Sequence, residues 1–532
     1  MTDSSMTTNW TKRILKHVSK VVKRDDVIKE LALKTATSAY SDDPLNLFLT
    51  GISSSGKTNA VKNTIPPYFP KQDVWLLGGL SPTALVHSYG TLIDTRTGLE
   101  IDLEDKPTKE SFRMLEGNEK KFDKESYTKA MKEWRETLRN SAYRIDLTNK
   151  IIVFLEAPHP ETYARLRPIL SHDVPEISYK FTDKKISGLR TVHVILRGWP
   201  ATIFCTTKVK HMSELSTRSL TANPEMIEEK YHEANILSGN IAANPWKFNP
   251  KNDKELNAIS EYIHQVSKSS LEIEKVVVPY GEKIGDLFPH DNPSEMRHVR
   301  QFLSLIKQNA ILNLFNRSVL NIDDKIYVLA NLEDLERTIG LYSSIADATS
   351  SGVPQYILDF YSNVFIPVEC EVKNLDENNI DFNRVRVGSL VFKHNEVYST
   401  NISSSTVYVY LKALREAAII DSKKVTKDGR RKIYFSLTKR KNSLNSLINE
   451  YSSFFSETDF KKWLESTKDY HSKIGVKKIL FAPSIDDLHQ RNNIDNLLDE
   501  KLNYTHILLR YLRPEIGDKI DFKIEKKLNN IL

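Results

Sequence analysis

The stretch "NLFLTGISSSGKTNAVKN", Asn46 to Asn63, restricts what this chain can fold into more than any other. An apolar run, Leu47–Leu49, feeds a turn of small residues, and Gly56, Lys57 and Thr58 then open a polar stretch of helical character with the spacing G-x-x-x-x-G-K-T. A strand, a small-residue loop and a helix in that order leave loop N–H groups exposed at a helix N-terminus, where the positive end of the helix dipole favours an anion. In such a loop Gly51, Ser53, Ser54, Ser55 and Gly56 cradle phosphates. Lys57 neutralises the β- and γ-phosphates, and Thr58 offers its hydroxyl to Mg²⁺.

Further strands alternate with helices along the same region, which implies an α/β core built on a parallel sheet. "DVWLLGGLSPTALVHSYG" reads as a short strand followed by a helix starting at Ser81–Pro82. "KIIVFLE" is a buried strand that ends on a single carboxylate, Glu156, able to hold a metal ion, to orient water, or to do part of both. "ETYARLRPILSHD" has helical spacing, and "EISYKFTDKKISGLRTVHVIL" alternates, turns near Asp183–Lys185 and alternates again, as a β-hairpin does. "PATIFCTT" is another buried strand, ending on Thr206 and Thr207.

With 532 residues the chain exceeds one hydrophobic core, and about three or four domains are expected. Residues 1–41 read as a helical segment and 42–225 as the α/β core, with a charged, helical surface insertion at about 100–146. Residues 226–345 read as a mostly helical lid, "SSGVP" at 350–354 as a linker, 350–440 as an α+β unit and 441–532 as a charged helical region. The two cysteines, Cys205 and Cys370, form neither a zinc spacing nor a disulfide framework, which suits a reducing compartment. No apolar run reaches membrane-spanning length and the start lacks a signal-like segment, so a cytoplasmic protein is expected.

The net charge of +7 is mild, and its placement says more than its size. "NISSSTVYVYLKALREAAII" reads as a helix capped near Ser403–Ser405, with Val407, Leu411 and Leu414 on a core face and Ser405, Thr406, Tyr408 and Lys412 outward. "DSKKVTKDGRRKIYFSL" follows as two strands around a turn at Asp428–Gly429, crowding Lys423, Lys424, Lys427, Arg430, Arg431 and Lys432 against one acid. Helix then basic hairpin resembles the winged helix-turn-helix family, with "VPQYILDFYSNVFIPV" as the preceding helix. The resemblance implies a helix in the DNA major groove and a wing on phosphates.

From Leu45 to Phe315 the order of motifs resembles the AAA+ ATPases, and within them the branch of the minichromosome-maintenance (MCM) helicases. "GISSSGKT" comes first and "IIVFLE" second. The hairpin is placed like the pre-sensor-1 hairpin of that branch, which implies that Lys184 and Lys185 at its tip grip nucleic-acid backbone in a central pore. "ATIFCTT" is similar to the sensor-1 strand, with Thr206 or Thr207 facing the γ-phosphate. "SELSTRSLTANPE" looks like the arginine-finger segment and points to Arg218. "VRQFLSLIKQNAIL" is similar to the lid helix with the sensor-2 arginine, here Arg300 or Arg297. The incomplete pair of acids at Glu156 and the lack of a zinc-binding DNA domain before the ATPase mark a distant relative, of mobile-element or phage replication type. The resemblance implies an ATP- and Mg²⁺-dependent helicase or translocase in DNA replication, acting on single- and double-stranded DNA as a homo-oligomer, most often a hexameric ring. The alternatives are an ATP switch, such as an origin-binding initiator or helicase loader, and a winged-helix regulator with an ATPase domain.

Overall fold

The computed structural model describes residues 9–78, 90–116, 119–156, 158, 160–183, 190–207, 218–248, 253–290, 294–323, 325–374, 385–417, 419–424, 432–437, 455–470 and 474–478. These form two compact units. One comprises Met1–Leu76, Ile151–Ala157 and Ala201–Leu532, and the other Leu77–Lys150 and Pro158–Pro200.

All five residues of strand β1 (Asn46–Thr50) are buried, as a strand covered on both faces requires. Beside it lie β10 (Ala201–Thr206) and β11 (Leu220–Ala222), both parallel to it. β7 (Ile151–Phe154) pairs parallel with β10, and β2 (Val74–Leu77) completes a sheet of order β11-β1-β10-β7-β2. Phe48, Phe204 and Phe154 stack across three adjacent strands, with ring centroids 4.6 and 4.7 Å apart. The chain is thus α/β, with a parallel sheet of phosphate-loop type. The loop after β1 leads into α3 (Lys57–Thr64).

The first two helices, α1 (Trp10–Val18) and α2 (Asp26–Ser38), share one apolar core with β1, β10 and the helices of the lid. Trp10 stacks on Tyr262 at 3.7 Å, and Arg13 makes two hydrogen bonds to Glu255 at 2.7 and 2.9 Å.

In the second unit β3 (Thr91–Asp94), β6 (Ser141–Asp146), β9 (Arg190–Arg197) and β8 (Glu176–Asp183) form a sheet of order β3-β6-β9-β8. The expected hairpin is present as the antiparallel β8–β9 pair, in register from Glu176↔Arg197 to Asp183↔Arg190. Its tip, with Lys184 and Lys185, lies outside the described residues, as does the helix start at Ser81–Pro82. The charged stretch at 100–146 is less helical than its composition implies. It holds α4 (Lys124–Arg139), capped by the Asp123 side chain, but also the hairpin of β4 (Arg113–Glu116) and β5 (Glu119–Phe122), and β6. Short strands such as "SAYRID" bury only Ala142 and Ile145, too little to show as alternation among so many charges. α5 (Pro160–Leu170) precedes β8.

The lid holds α6 (Glu228–Ala243), α7 (Lys254–Ser270), α8 (Gly281–Leu287), α9 (Glu295–Leu312), α10 (Leu332–Ser343) and α11 (Ala346–Ser351). It is not only helical: β12 (Ile273–Val277), β14 (Lys325–Leu329) and β13 (Ser318–Ile322) form a small sheet, which β17 (Ile474–Lys478) extends. These five-residue strands are too short for a period to stand out in the sequence. Arg317 beside this sheet makes a two-point contact with Asp334, at 2.9 and 2.6 Å, and both are buried.

The C-terminal α+β region has a separate apolar core. It comprises α12 (Gln355–Phe360), one π-helical turn, α13 (Ile366–Asn374), α14 (Val387–Tyr398), α15 (Ser404–Glu416) and the antiparallel pair β15 (Ile420–Lys424) and β16 (Lys432–Ser436). Three helical segments followed by a hairpin resemble a winged helix. The helix directly before α15 is α14, which sequence reading passed over. Leu390 is its one fully buried residue, so it shows no apolar stripe.

Candidate nucleotide-binding site

The loop after β1 is closed by its own lysine. Lys57 is buried, and its Nζ donates to the Gly51 carbonyl at 2.9 Å, the Ile52 carbonyl at 2.7 Å and Ser55 Oγ at 3.1 Å. Burial lowers the Lys57 pKa, and the nearby Lys230 ammonium acts in the same direction. Gly56, at φ +93°, makes the left-handed step into α3, a conformation natural to glycine. A Cβ on Gly51 would sit 3.1 Å from Ser55 Oγ and 3.3 Å from Pro224 Cδ, so the loop closes tightly only over glycine. Ser53 and Ser54 are exposed and Ser55 is buried.

Thr58, half-buried on the first turn of α3, stands beside the Cys205 thiol on β10 and acts to lower its pKa. Burial pushes that thiol up to about 11. Thr206 is buried in register with Thr50, so it stands at the strand end nearest the loop, and Thr207 follows it exposed. Asn223, just after β11, hydrogen-bonds Thr50 Oγ1. With its amide turned to suit its neighbours it donates to the Thr50 carbonyl at 3.0 Å and accepts from the Gln355 N–H.

Glu156 is exposed two residues beyond β7. Because β10 lies between β1 and β7, the loop and Glu156 flank the end of β10 at two strand spacings, about 10 Å. That gap lies between the Thr58 and Glu156 sides, with Thr206 and Thr207 at its floor. Hydroxyl and carboxylate oxygens are the hard donors that Mg²⁺ prefers, with phosphate and water filling its remaining positions.

Arg218 is half-buried one residue before Ser219 and β11. Its carbonyl accepts from Asn46 Nδ2 at 3.3 Å, which puts its backbone at the start of β1. The loop begins at the other end of that strand, about 13 Å away. Arg300 and Arg297 are exposed on the first turns of α9. One turn after Arg300, Ser304 Oγ donates to the Asp43 carbonyl at 2.9 Å, also ahead of β1.

Three residues beside the loop carried no sequence signal. Lys230 on α6 donates to the Ser55 carbonyl and to the Glu225 carbonyl, each at 3.0 Å, and pairs with Asp25 Oδ2 at 2.5 Å. Asp25 and Glu225 exchange hydrogen bonds, Asp25 N–H to Glu225 Oε1 at 3.1 Å and Glu225 N–H to Asp25 Oδ1 at 2.8 Å. Lys230 sits in the polar run "EEKYHE" and Asp25 in "KRDD", where solvated charges are the ordinary expectation.

In the winged-helix-like region the Ser403 hydroxyl accepts from Thr406 N–H at 3.2 Å and lies within hydrogen-bond reach of the Ser405 and Thr406 hydroxyls. Val407, Leu411 and Leu414 are buried, whereas Ser405, Tyr408 and Lys412 are exposed and Thr406 half-buried. Lys424 and Lys432 are register partners and Lys423 faces Ile433. Lys427, Arg430 and Arg431 lie outside the described residues. Glu369 anchors the hairpin by accepting from Ser436 N–H at 3.0 Å and Ser436 Oγ at 2.5 Å.

No protein-family model and no curated protein matches the chain. Among solved structures it is distantly similar to a Cytophaga hutchinsonii protein provisionally described as an ATPase, with TM-score 0.30, 14% identity, and 63% of this chain and 85% of that one covered. It is similar at TM-score 0.22 and 12% identity to the SCCmec type IV active helicase Cch, over 81% and 70% of the two chains. A third likeness, to Drosophila ORC bound to DNA, has TM-score 0.19 and 10% identity over 84% and 94%. Among the described residues no helix is long and apolar enough to cross a membrane.

Proposed function

We propose that the chain is an ATP-dependent DNA helicase or translocase that works as a homo-oligomeric ring, a reading that uses its loop and its basic C-terminal unit together. The observation that carries this reading is the loop Gly51–Gly56, closed by Lys57 and flanked by Thr206 and Glu156 at neighbouring strand ends. Lys57 donates its hydrogen bonds to the Gly51 and Ile52 carbonyls and to Ser55 Oγ. Phosphate oxygens would take over those bonds, and Thr206 or Thr207 would contact the terminal phosphate. Thr58 and Glu156 would hold Mg²⁺, which supplies charge neutralisation when bound. Glu156 would also orient the attacking water. The Arg218 backbone stands at the far end of β1, so its guanidinium suits a neighbouring subunit's site, where it would stabilise charge on the transferring phosphoryl group. The exposed face of α15 and the basic hairpin would hold duplex DNA, and Lys184 and Lys185 a single strand.

One observation favours an ATP switch of initiator or loader type: the strand end offers a lone carboxylate where a fast ATPase usually has two. ATP turnover with and without single-stranded DNA, run beside strand displacement, separates the two readings. DNA-stimulated turnover with unwinding that is lost in Lys184→Ala, Lys185→Ala supports the motor. Slow, DNA-indifferent turnover without unwinding supports the switch.

A further inference from the structure

We propose that Lys230 is a positioning residue for phosphate binding, acting through the Ser55–Gly56 peptide, and that Asp25 is the counter-charge that holds it there. The inference rests on the nucleotide reading of the loop. In a planar trans peptide the carbonyl and the following N–H point in opposite directions. Lys230 Nζ binds the Ser55 carbonyl at 3.0 Å from outside the loop, so the Gly56 N–H is aimed the other way. Gly56 has the freest backbone in the loop and stands at φ +93°, where rotation of the preceding peptide meets little steric resistance. The atoms nearest to a Cβ there would be Lys230 Nζ at 3.6 Å, Asp25 Oδ2 at 3.7 Å and Lys230 Cε at 3.8 Å, ordinary contacts. A hydrogen bond to a charged group therefore helps to fix the peptide's orientation.

A second observation points the same way. Asp25 is the residue before α2, yet its side chain makes no capping bond to that helix. It and Arg24 are both held at positive φ, 57° and 56°, a conformation that is unfavourable for a non-glycine residue. In that conformation the Asp25 carboxylate reaches Lys230 and the Glu225 N–H. Lys230 and Asp25 are 7% and 2% exposed, so the pair sits out of water, where removing one partner alone strands the other. The strained turn, the ion pair and the Ser55 carbonyl form one chain of contacts from the start of α2 to the loop. Lys57 holds the other side of Ser55 through its hydroxyl.

The test is the double variant Lys230→Met, Asp25→Asn of the full chain, which removes both buried charges at nearly constant volume, compared with the parent and with Lys57→Ala. ADP binding is measured at 10 °C, and thermal unfolding is followed without nucleotide. The expected result is an ADP Kd raised about 10- to 100-fold, the scale of one charge-assisted hydrogen bond, with the unfolding midpoint little changed. An ADP affinity within twofold of the parent, or a loss of affinity that appears only where the variant is already unfolding, overturns the proposal while leaving the nucleotide reading intact. A parent chain that binds ADP no better than Lys57→Ala overturns both.

Discussion

Cys205 offers a chemical readout of the loop. Its thiol is buried on β10 beside Thr58 and pushed from 9.0 up to about 11 by burial, while Cys370 is exposed. Only the thiolate reacts with a disulfide reagent or iodoacetamide. At pH 8 a thiol of pKa 9.0 is about one-tenth ionised and one of pKa about 11 about one-thousandth, so the shift alone slows labelling about a hundredfold, and burial slows it further. Thiol titration of the native chain should therefore give one fast equivalent, from Cys370, and a second only on denaturation. The Thr58 hydroxyl and the Lys57 charge both hold the Cys205 pKa below what burial alone would give. If Thr58 turns to Mg²⁺ and phosphate neutralises Lys57, labelling of Cys205 should become slower still, and Thr58→Val should show less of that nucleotide effect. Two thiols reacting at comparable rates in the native chain would refute the arrangement of β10 against α3.

Three further outcomes follow from packing and charge. Arg317→Leu leaves Asp334 buried without its partner and should destabilise the lid by about 3–5 kcal/mol in urea unfolding. Lys34 is buried 2.8 Å from Glu30, and burial lowers its pKa from 10.5 to about 8. The unfolded chain then binds the extra proton between those values, so wild type should gain stability relative to Lys34→Met as pH rises from 8 towards 10.5, and below about 8, where both states are protonated, the difference should no longer change with pH. Duplex DNA binding should weaken steeply with salt, and replacing Lys423, Lys424 and Lys432 with Ala should lower the salt slope by about 3, whereas affinity indifferent to salt would point to a protein-binding role for this hairpin.

The parts legible in the sequence were those written locally. The loop shows because its glycines, Lys57 and Thr58 lie within eight residues of one another, and the buried strands show because Leu47–Leu49, Ile151–Phe154 and Ile203–Cys205 are continuous apolar runs. Helix α15 shows because Val407, Leu411 and Leu414 repeat at helical spacing over a Ser403 cap. The lid sheet did not show, because β12, β13 and β14 are each five residues long and their pairing is set by partners elsewhere in the chain. Nor did Lys230, whose value lies in reaching Ser55, 175 residues away, and Asp25, both through the fold. Charge in a polar helix carries no mark of burial until a partner is brought to it.

The central claim is that the loop Gly51–Gly56 with Lys57 binds a nucleoside triphosphate. Isothermal titration of the chain with ATP and Mg²⁺, beside Lys57→Ala, tests it most directly. The account expects saturable binding near one ATP per chain, lost or weakened at least tenfold in Lys57→Ala. Equal binding by both proteins, or none by the parent, would contradict it.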